Sequence, residues 1–256
     1  MYSYLCADNQ TKMLLAVDVG NTKIKAAVFE GDVLLEKFVF DKNDSEKKIE
    51  KIFSGYPGLA DSVLSSVGAG HNEVISVLQK YSRTTVVNHE SAFPFQNLYE
   101  TPHTLGIDRM VLSAGAAILF PEENKLVIDA GTCVTYDFTD SQNRYRGGAI
   151  SPGLKLRYEA MHNFTAKLPL LYPEIPENYT GKTTKQSMHS GVVNGLLFEI
   201  EGFISQYMQD YGNLTVILTG GDADFLAVRL KNTIFANSNF LLESLNKLYT
   251  IQNKHD

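Results

Sequence analysis

Residues 14–29 carry the clearest hydrophobic pattern of the chain: an apolar run, a short polar turn, and a run in which polar and apolar positions alternate. The apolar run predicts a buried strand, and the alternation after Lys23 predicts a return strand, so the two are expected to form a hairpin. The turn joins Asp18 and Gly20 to two short polar residues. A carboxylate beside exposed backbone N–H groups is a candidate site for phosphate and a hydrated metal ion.

The same plan recurs at residues 126–138, where an apolar strand is followed by Asp129, Gly131 and Thr132 and then by a second return strand. A single acidic turn of this kind is equally well explained as an ordinary hairpin turn, because such turns are common. Two copies in separate halves of one chain indicate a duplicated architecture. They predict a nucleotide held between two facing acidic turns.

The first half continues with a third strand and then alternates helices with strands. A helix capped by Asn72 is expected within this alternation. The strands are predicted at residues 32–40, 61–67 and 84–88, and the helices at residues 45–53 and 72–81. A meander followed by alternating helices and strands predicts a mixed sheet flanked by helices, and so an α/β fold.

The second half follows a proline-rich link at residues 91–105 and a helix ending at Leu119, and it repeats the meander. Strands are predicted at residues 126–132, 133–138, 145–150, 215–219 and 233–236, and helices at 154–164, 191–211, 223–230 and 240–251. Residues 168–185 contain three prolines and predict an irregular loop that carries binding residues. We therefore expect an N-terminal half at residues 13–112 and a C-terminal half at 113–256, after a disordered extension at 1–12.

Composition and charge narrow the function classes. Of the 256 residues, 44% are hydrophobic and 20% are charged, as is typical of a globular enzyme. The net charge of −6 and the lack of a long basic run argue against a nucleic-acid partner. No apolar run approaches the roughly 20 residues that span a bilayer, so no membrane partner is expected. Cys6 and Cys133 lack partners at metal-ligand spacing, which indicates a reducing compartment, and we expect a cytoplasmic protein.

Asp108 is the main candidate for a catalytic group outside the two hairpins. It lies between a glycine and Arg109 at the start of a predicted helix, where the helix dipole and the arginine would favour its carboxylate form. Asp108 would then accept the proton of an attacking hydroxyl while Arg109 holds an anionic substrate. The alternative is an aspartate helix cap paired with arginine. The Gly-Lys-Thr at residues 181–183 is not a P-loop, because Pro176 stands where its first glycine is required.

Six motifs together resemble the type III pantothenate kinases, members of the acetate and sugar kinase/Hsp70/actin superfamily. Their joint order, from about residue 13 to the C-terminus, carries the resemblance. The motifs are Asp18-Val19-Gly20-Asn21-Thr22, Tyr99-x-x-Pro102-x-x-Leu105-Gly106-Ile107-Asp108-Arg109, Asp129-Ala130-Gly131-Thr132, Gly147-Gly148-Ala149-Ile150-Ser151-Pro152-Gly153, Gly181-x-x-Thr184 and Thr219-Gly220-Gly221. The chain departs from the family pattern at Thr101, where asparagine is frequent, and at Cys133, where alanine is more frequent.

The resemblance implies two ribonuclease H-like (actin-like) halves and ATP-dependent phosphorylation of pantothenate to 4′-phosphopantothenate, at the start of coenzyme A biosynthesis. It implies that Asp108 is the catalytic base, that Asp18 holds Mg²⁺ through the phosphates, and that Asp129 binds a monovalent cation such as K⁺ or NH₄⁺. The implied ATP-binding residues are Asp18, Val19, Gly20, Asn21, Thr22, Lys23, Ile24, Lys25 and Thr132. The implied pantothenate-binding residues are Tyr99, Gly106, Ile107, Asp108, Arg109 and Thr184. A homodimer is implied as well.

Two other functions fit the same scaffold. One is a regulatory or transcriptional accessory protein without turnover, and the other is a sugar kinase of the same superfamily. Asp108 together with both acidic hairpins favours an enzyme over an accessory protein. The segment at residues 99–109 favours pantothenate over a hexose, through the resemblance alone.

Overall fold

The computed structural model describes residues 12–20, 23–66, 71–232 and 234–253, and the chain divides into two compact units. The first unit comprises the described residues of Met1–Ala92, Gly106–Val111 and Leu242–Asp256. The second comprises the described residues of Phe93–Leu105 and Leu112–Leu241. Of the expected extension at residues 1–12, all but Lys12 lies outside the described residues.

The first unit is built on a five-stranded mixed sheet. Its strands are β1 (Met13–Val19), β2 (Ile24–Glu30), β3 (Val33–Phe40), β4 (Leu59–Ser66) and β5 (Arg83–Val86). They lie in the order β3-β2-β1-β4-β5, with β1, β2 and β3 antiparallel and β4 and β5 continuing in parallel from β1. The predicted meander with added parallel strands is confirmed in this unit.

Helices α1 (Ser45–Gly55) and α2 (His71–Leu78) cover one face of this sheet. Alternate sheet residues such as Leu15 and Val17 form one buried cluster with Ile49 of α1 and Leu78 of α2, as period-two strands and an amphipathic helix require. The predicted cap at Asn72 is wrong, because α2 already includes His71. The backbone oxygen of Asn72 instead accepts a bond from Ser76 Oγ at 2.8 Å within the helix.

The second unit repeats this plan with six strands. They are β6 (Gln96–Asn97), β7 (Asn124–Ala130), β8 (Cys133–Thr139), β9 (Arg144–Pro152), β10 (Leu214–Thr219) and β11 (Phe235–Ala236). Their order is β11-β10-β7-β8-β9-β6, in which β7, β8 and β9 form the antiparallel meander and β10 and β11 run parallel to β7. The duplicated α/β architecture expected from the two hairpins is therefore confirmed.

The remaining helices are α3 (Ile107–Leu119), α4 (Leu154–Asn163), α5 (Thr184–His189), α6 (Gly195–Tyr211), α7 (Ala223–Ala227) and α8 (Phe240–Gln252). They include five that were predicted, one of which (α7) is shorter than expected, and one (α5) that was not predicted and begins within the expected loop. A π-helical turn, Ser190–Asn194, joins α5 to α6, so helical structure begins seven residues before the predicted start at residue 191. Among the described helices, none combines the length and the apolar character needed to cross a membrane.

The two units are interleaved along the chain. Phe93–Leu105 belongs to the second unit because β6 pairs in parallel with β9. The end of α8 belongs to the first unit, where Asn246 Nδ2 donates to the Gly31 oxygen at 2.8 Å and Gln252 Nε2 to the Ala92 oxygen at 2.7 Å.

Candidate active site

Asp18 is the last residue but one of β1 in the first acidic hairpin and lies opposite Lys25 of β2 in the antiparallel register. The parallel register with β4 places Ser65 on its other side, and Ser65 Oγ donates to Asp18 Oδ1 at 3.1 Å. The Gly20 N–H donates to the Lys23 oxygen at 3.1 Å and closes the turn. A Cβ on Gly20 would lie 3.1 Å from the same oxygen, so glycine keeps the turn tight.

Burial makes Asp18 an unusual carboxylate. Only 5% of its surface is exposed, and this desolvation raises its pKa from an ordinary 3.8 to about 6. The charge of Lys25 and the hydrogen bond from Ser65 lower the pKa, while the nearby carboxylate of Asp108 raises it further. Asp18 and Asp108 therefore lie within electrostatic reach of each other in the first unit. The other two turn residues, Asn21 and Thr22, lie outside the described residues.

Asp108 lies in the first turn of α3, where the Arg109 N–H donates to its Oδ1 at 2.9 Å. Burial raises the pKa of Asp108, and this outweighs Arg109, whose backbone hydrogen bond and charge lower it. Arg109 therefore favours the carboxylate form, as expected, but desolvation is the larger effect, so the pKa of Asp108 is raised overall. Arg109 is itself buried, with 6% of its surface exposed. At residue 106, a Cβ would overlap Asp108 Oδ1, so a side chain there would displace the Asp108 carboxyl group from its observed position.

The second acidic hairpin has the same construction in the second unit. Asp129 lies near the end of β7 opposite Thr135 of β8, and the Gly131 N–H donates to the Cys133 oxygen at 2.9 Å. Thr132 is exposed at the turn, and its oxygen accepts the Gly153 N–H at 3.0 Å. The turn is one residue tighter than the first, but both present a strand-end aspartate beside a glycine N–H that closes the turn.

A glycine turn after β10 packs against Asp129. Gly220 has a φ of +100°, and a Cβ there would collide with both the Ala130 oxygen and Asp129 Oδ1. The next-but-one residue, Asp222, donates its N–H to the Ala130 oxygen at 2.9 Å, and burial raises the pKa of its carboxyl. Asp222 and Ser65 were not predicted as site residues. Ser65 meets Asp18 only through the parallel pairing of β1 with β4, which has no local sequence signal.

The residues predicted to bind pantothenate are positioned by different elements. Ile107 is buried at the start of α3, and Tyr99 is half-buried after β6. Thr184 is exposed at the first residue of α5, where Thr183 Oγ1 caps the helix by accepting the Gln186 N–H at 3.2 Å. A Cβ on the glycine of this motif, Gly181, would collide with the Ser187 backbone, so the loop can pack on α5 only with glycine there.

The donor set suits a metal ion that arrives with phosphate. Among the described side chains, no three of His, Cys, Asp or Glu are grouped closely enough to hold a metal ion alone. Mg²⁺ commonly uses one or two protein carboxylates together with substrate phosphates and water. Asp18, a buried carboxylate near the end of a strand, suits the role of the single protein carboxylate in such a site.

The comparisons with known proteins agree with one another. Residues 14–206 match the family described as type III pantothenate kinase. A type III pantothenate kinase of Flavobacterium johnsoniae is 58% identical over 244 residues, which is 95% of this chain and 100% of that protein. A type III pantothenate kinase of Bacteroides fragilis is 38% identical over 242 residues, which is 94% of this chain and 99% of that protein.

Solved structures agree with the fold. A Baf family transcriptional activator from Campylobacter jejuni has a TM-score of 0.61 at 21% identity, covering 94% of this chain and 100% of that one. The activator of the 2-hydroxyisocaproyl-CoA dehydratase from Clostridium difficile, solved with bound ADPNP, has a TM-score of 0.51 at 11% identity, covering 95% of this chain and 96% of that one. These likenesses confirm the predicted fold class.

Proposed function

This chain belongs to the type III pantothenate kinase family, and on that premise we propose that it transfers the γ-phosphoryl group of ATP to the primary hydroxyl of pantothenate. The product is 4′-phosphopantothenate, at the first step of coenzyme A biosynthesis. One observation within the chain carries the proposal. Asp18 and Asp108, two carboxylates from different motifs, lie near enough in the first unit for one to raise the pKa of the other.

Asp108 is the proton acceptor in this proposal. The hydroxyl oxygen of pantothenate forms a bond to the γ-phosphorus, the bond from that phosphorus to the β–γ bridging oxygen breaks, and ADP leaves. The hydroxyl proton passes to the Asp108 carboxylate. Burial raises the pKa of Asp108 towards the operating pH, where a general base works best, and the Arg109 N–H fixes the orientation of the carboxyl group.

The first hairpin and Thr132 are assigned to ATP. Lys25, opposite Asp18, supplies positive charge for phosphate, and the residues assigned here are Asp18, Val19, Gly20, Lys23, Ile24, Lys25 and Thr132. Asn21 and Thr22 share the assignment but lie outside the described residues. Asp18 would hold Mg²⁺ through the phosphates. When bound, Mg²⁺ neutralises the negative charge of the phosphates.

Asp129 is assigned to a monovalent cation, K⁺ or NH₄⁺. Its half-buried carboxylate lies against the Gly220 turn, which supports the assignment because carboxylate and carbonyl oxygens are the ligands of hard cations. Turnover should therefore be faster with K⁺ or NH₄⁺ than with Na⁺. Equal rates with all three ions would remove this assignment.

Pantothenate carries a carboxylate, an amide and a hydroxyl, and the residues assigned to it offer matching groups. The Arg109 guanidinium suits the carboxylate, since its planar fork of donors matches carboxylate geometry. The other residues assigned to pantothenate are Tyr99, Gly106, Ile107, Asp108 and Thr184.

We assign the chain a homodimeric state. In the second unit Tyr179 and Phe198 are 71% and 61% exposed and stack on each other with ring centroids 5.7 Å apart, and Phe164 and Tyr172 are 87% and 72% exposed. Exposed aromatic side chains in contact with each other, such as Tyr179 and Phe198, are characteristic of surfaces that pair with another chain, and this pair supports the assignment. Analytical ultracentrifugation tests the assignment, and a single species at the monomer mass would refute it.

An acceptor panel tests the function. Purified protein with Mg²⁺-ATP is expected to form ADP only when pantothenate is present. ADP formation with glucose instead would indicate a sugar kinase. No turnover with any acceptor, in protein that still binds ATP, would indicate an accessory protein on the same scaffold.

A further inference from the structure

A buried carboxylate that the proposed reaction does not use lies in the second sheet. Asp137, on β8, has no exposed surface. Its strand neighbours Tyr136 and Phe138 join the buried cluster against α6, so Asp137 points to the opposite face, because strand side chains alternate. A carboxylate in such a place requires hydrogen-bond donors.

Tyr145 donates a short hydrogen bond to this carboxylate. Tyr145 Oη donates to Asp137 Oδ1 at 2.6 Å, and Thr135 Oγ1 donates to Oδ2 at 3.0 Å. Tyr145 lies on β9 opposite Thr139, across an irregularity in the strand register that brings its side chain to the same face as Asp137. Tyr145 is fully buried, so this charge-assisted bond fixes the direction of its ring.

The ring of Tyr145 forms a base for Tyr99. Its centroid is 6.1 Å from the Tyr99 centroid at an interplanar angle of 53°, and 5.8 Å from Phe95, distances typical of tilted aromatic pairs. Gly147, with a φ of +105°, lies next to the Tyr99 ring, and a Cβ on Gly147 would be 3.5 Å from Tyr99 Cδ2.

The backbone before Tyr99 is hydrogen-bonded to β9 and to the residue that precedes β9. The Leu98 N–H donates to the Tyr145 oxygen at 3.0 Å, and the Gln96 N–H donates to the Asn143 oxygen at 2.8 Å. The Tyr99 N–H donates to Asn97 Oδ1 at 2.9 Å, which closes the turn after β6. Both the main chain and the ring of Tyr99 are therefore positioned from β9.

We propose that Tyr145, oriented by Asp137, is a positioning residue for Tyr99 and thereby sets the affinity for the acceptor substrate. This inference rests on the proposed function, in which Tyr99 binds pantothenate. Tyr145 itself does not touch the substrate. Without the bond to Asp137 its ring can turn, and Tyr99 loses the surface that fixes its own ring.

The test is Tyr145→Phe, which removes one oxygen and keeps the ring. Its KM for pantothenate is expected to rise about ten-fold, equivalent to about 1.4 kcal/mol, while its KM for ATP stays unchanged and kcat changes less than KM. Calorimetric titration of pantothenate should show the same loss of affinity. Asp137→Asn keeps an acceptor for the Tyr145 hydroxyl and should restore most of the affinity that Asp137→Ala loses.

Tyr136→Phe is the matched control. It removes a buried hydroxyl from the opposite face of the same sheet, where Tyr136 Oη donates to Glu199 Oε1 at 2.8 Å. It should lower the melting temperature to a similar degree and leave the pantothenate KM unaltered. Equal pantothenate KM values for Tyr145→Phe, Tyr136→Phe and the parent would overturn the inference while the proposed function stands.

Two further outcomes complete the test. A parent protein without pantothenate-dependent turnover would overturn the proposed function and this inference together. If Tyr145→Phe does not fold, Phe95→Leu replaces it, since Phe95 also packs against the Tyr145 ring and is only partly buried. A raised pantothenate KM in Phe95→Leu would support the inference, and an unchanged one would refute it.

Discussion

The buried charge of Asp18 should make the fold less stable at neutral pH than in mild acid. Burial raises its pKa from 3.8 to about 6, so the folded chain binds this proton more tightly than the unfolded chain does. The tighter binding of this proton stabilises the folded chain fully when the pH is below the pKa of Asp18 in the unfolded chain. This stabilisation is lost as the pH rises through the pKa of Asp18 in the folded chain. The informative change is Asp18→Asn, which removes the charge and keeps an oxygen to accept from Ser65.

The size of the effect follows from the two pKa values of Asp18. A pKa unit corresponds to about 1.4 kcal/mol, so a rise from 3.8 to about 6 corresponds to about 3 kcal/mol. Because Asp18 is only 5% exposed, screening by solvent reduces this free-energy difference only slightly. For a chain of 256 residues, about 1 kcal/mol shifts the melting temperature by roughly 2–4 °C. Asp18→Asn should therefore melt about 6–12 °C above the parent at about pH 7.5, by the same conversion.

The assay is thermal unfolding of both proteins between about pH 4 and pH 8, without nucleotide or divalent ions. The advantage of Asp18→Asn should shrink steadily as the pH falls and be nearly gone at about pH 4. Asp44→Asn, which removes an exposed carboxylate from the same unit, is the control and should follow the parent. A difference between Asp18→Asn and the parent that stays constant across this range would refute the reasoning.

The remaining predictions concern the two hairpins and α3. Asp108→Asn should lower kcat by roughly 10²–10⁴-fold without lowering the melting temperature, and a coupled ADP assay with a near-normal rate would exclude Asp108 as the base. Gly220→Ala should lower the melting temperature and weaken activation by K⁺, because its Cβ meets Asp129, whereas Gly221→Ala has open space and should match the parent. In a Cys6→Ser background the exposed Cys133 thiol should react with a thiol reagent, and the reaction should be slower when Mg²⁺-ATP is present. Equal reaction rates with and without Mg²⁺-ATP would show that the nucleotide does not bind next to Cys133.

Much of the fold could be predicted because its signals are local. Each acidic hairpin is formed by one continuous segment, residues 14–29 or 126–138, and the pattern of apolar positions within that segment locates its strands. The short strand β6 could not be predicted, since two residues carry no periodicity and the strand exists only through pairing with β9. The membership of α8 in the first unit likewise depends on contacts with Gly31 and Ala92, distant in sequence.

The candidate site shows the same limit. Sequence alone could identify Asp18 and Asp108 as candidates, but it predicted the ionisation of Asp108 from its helix position and its neighbour. Burial decides the outcome, and burial arises from the whole unit. The ligand assignments, the dimer and the cytoplasmic location stay predictions.

The return of the chain to its first unit has a consequence for synthesis on the ribosome. Leu242, Leu245 and Leu248 of α8 are buried, yet they are translated after nearly the whole second unit. The nascent first unit therefore lacks the buried leucines of α8 until translation is almost complete, whereas the second, almost contiguous unit can fold earlier. Chaperone dependence during translation should accordingly concentrate on the earliest-made third of the protein.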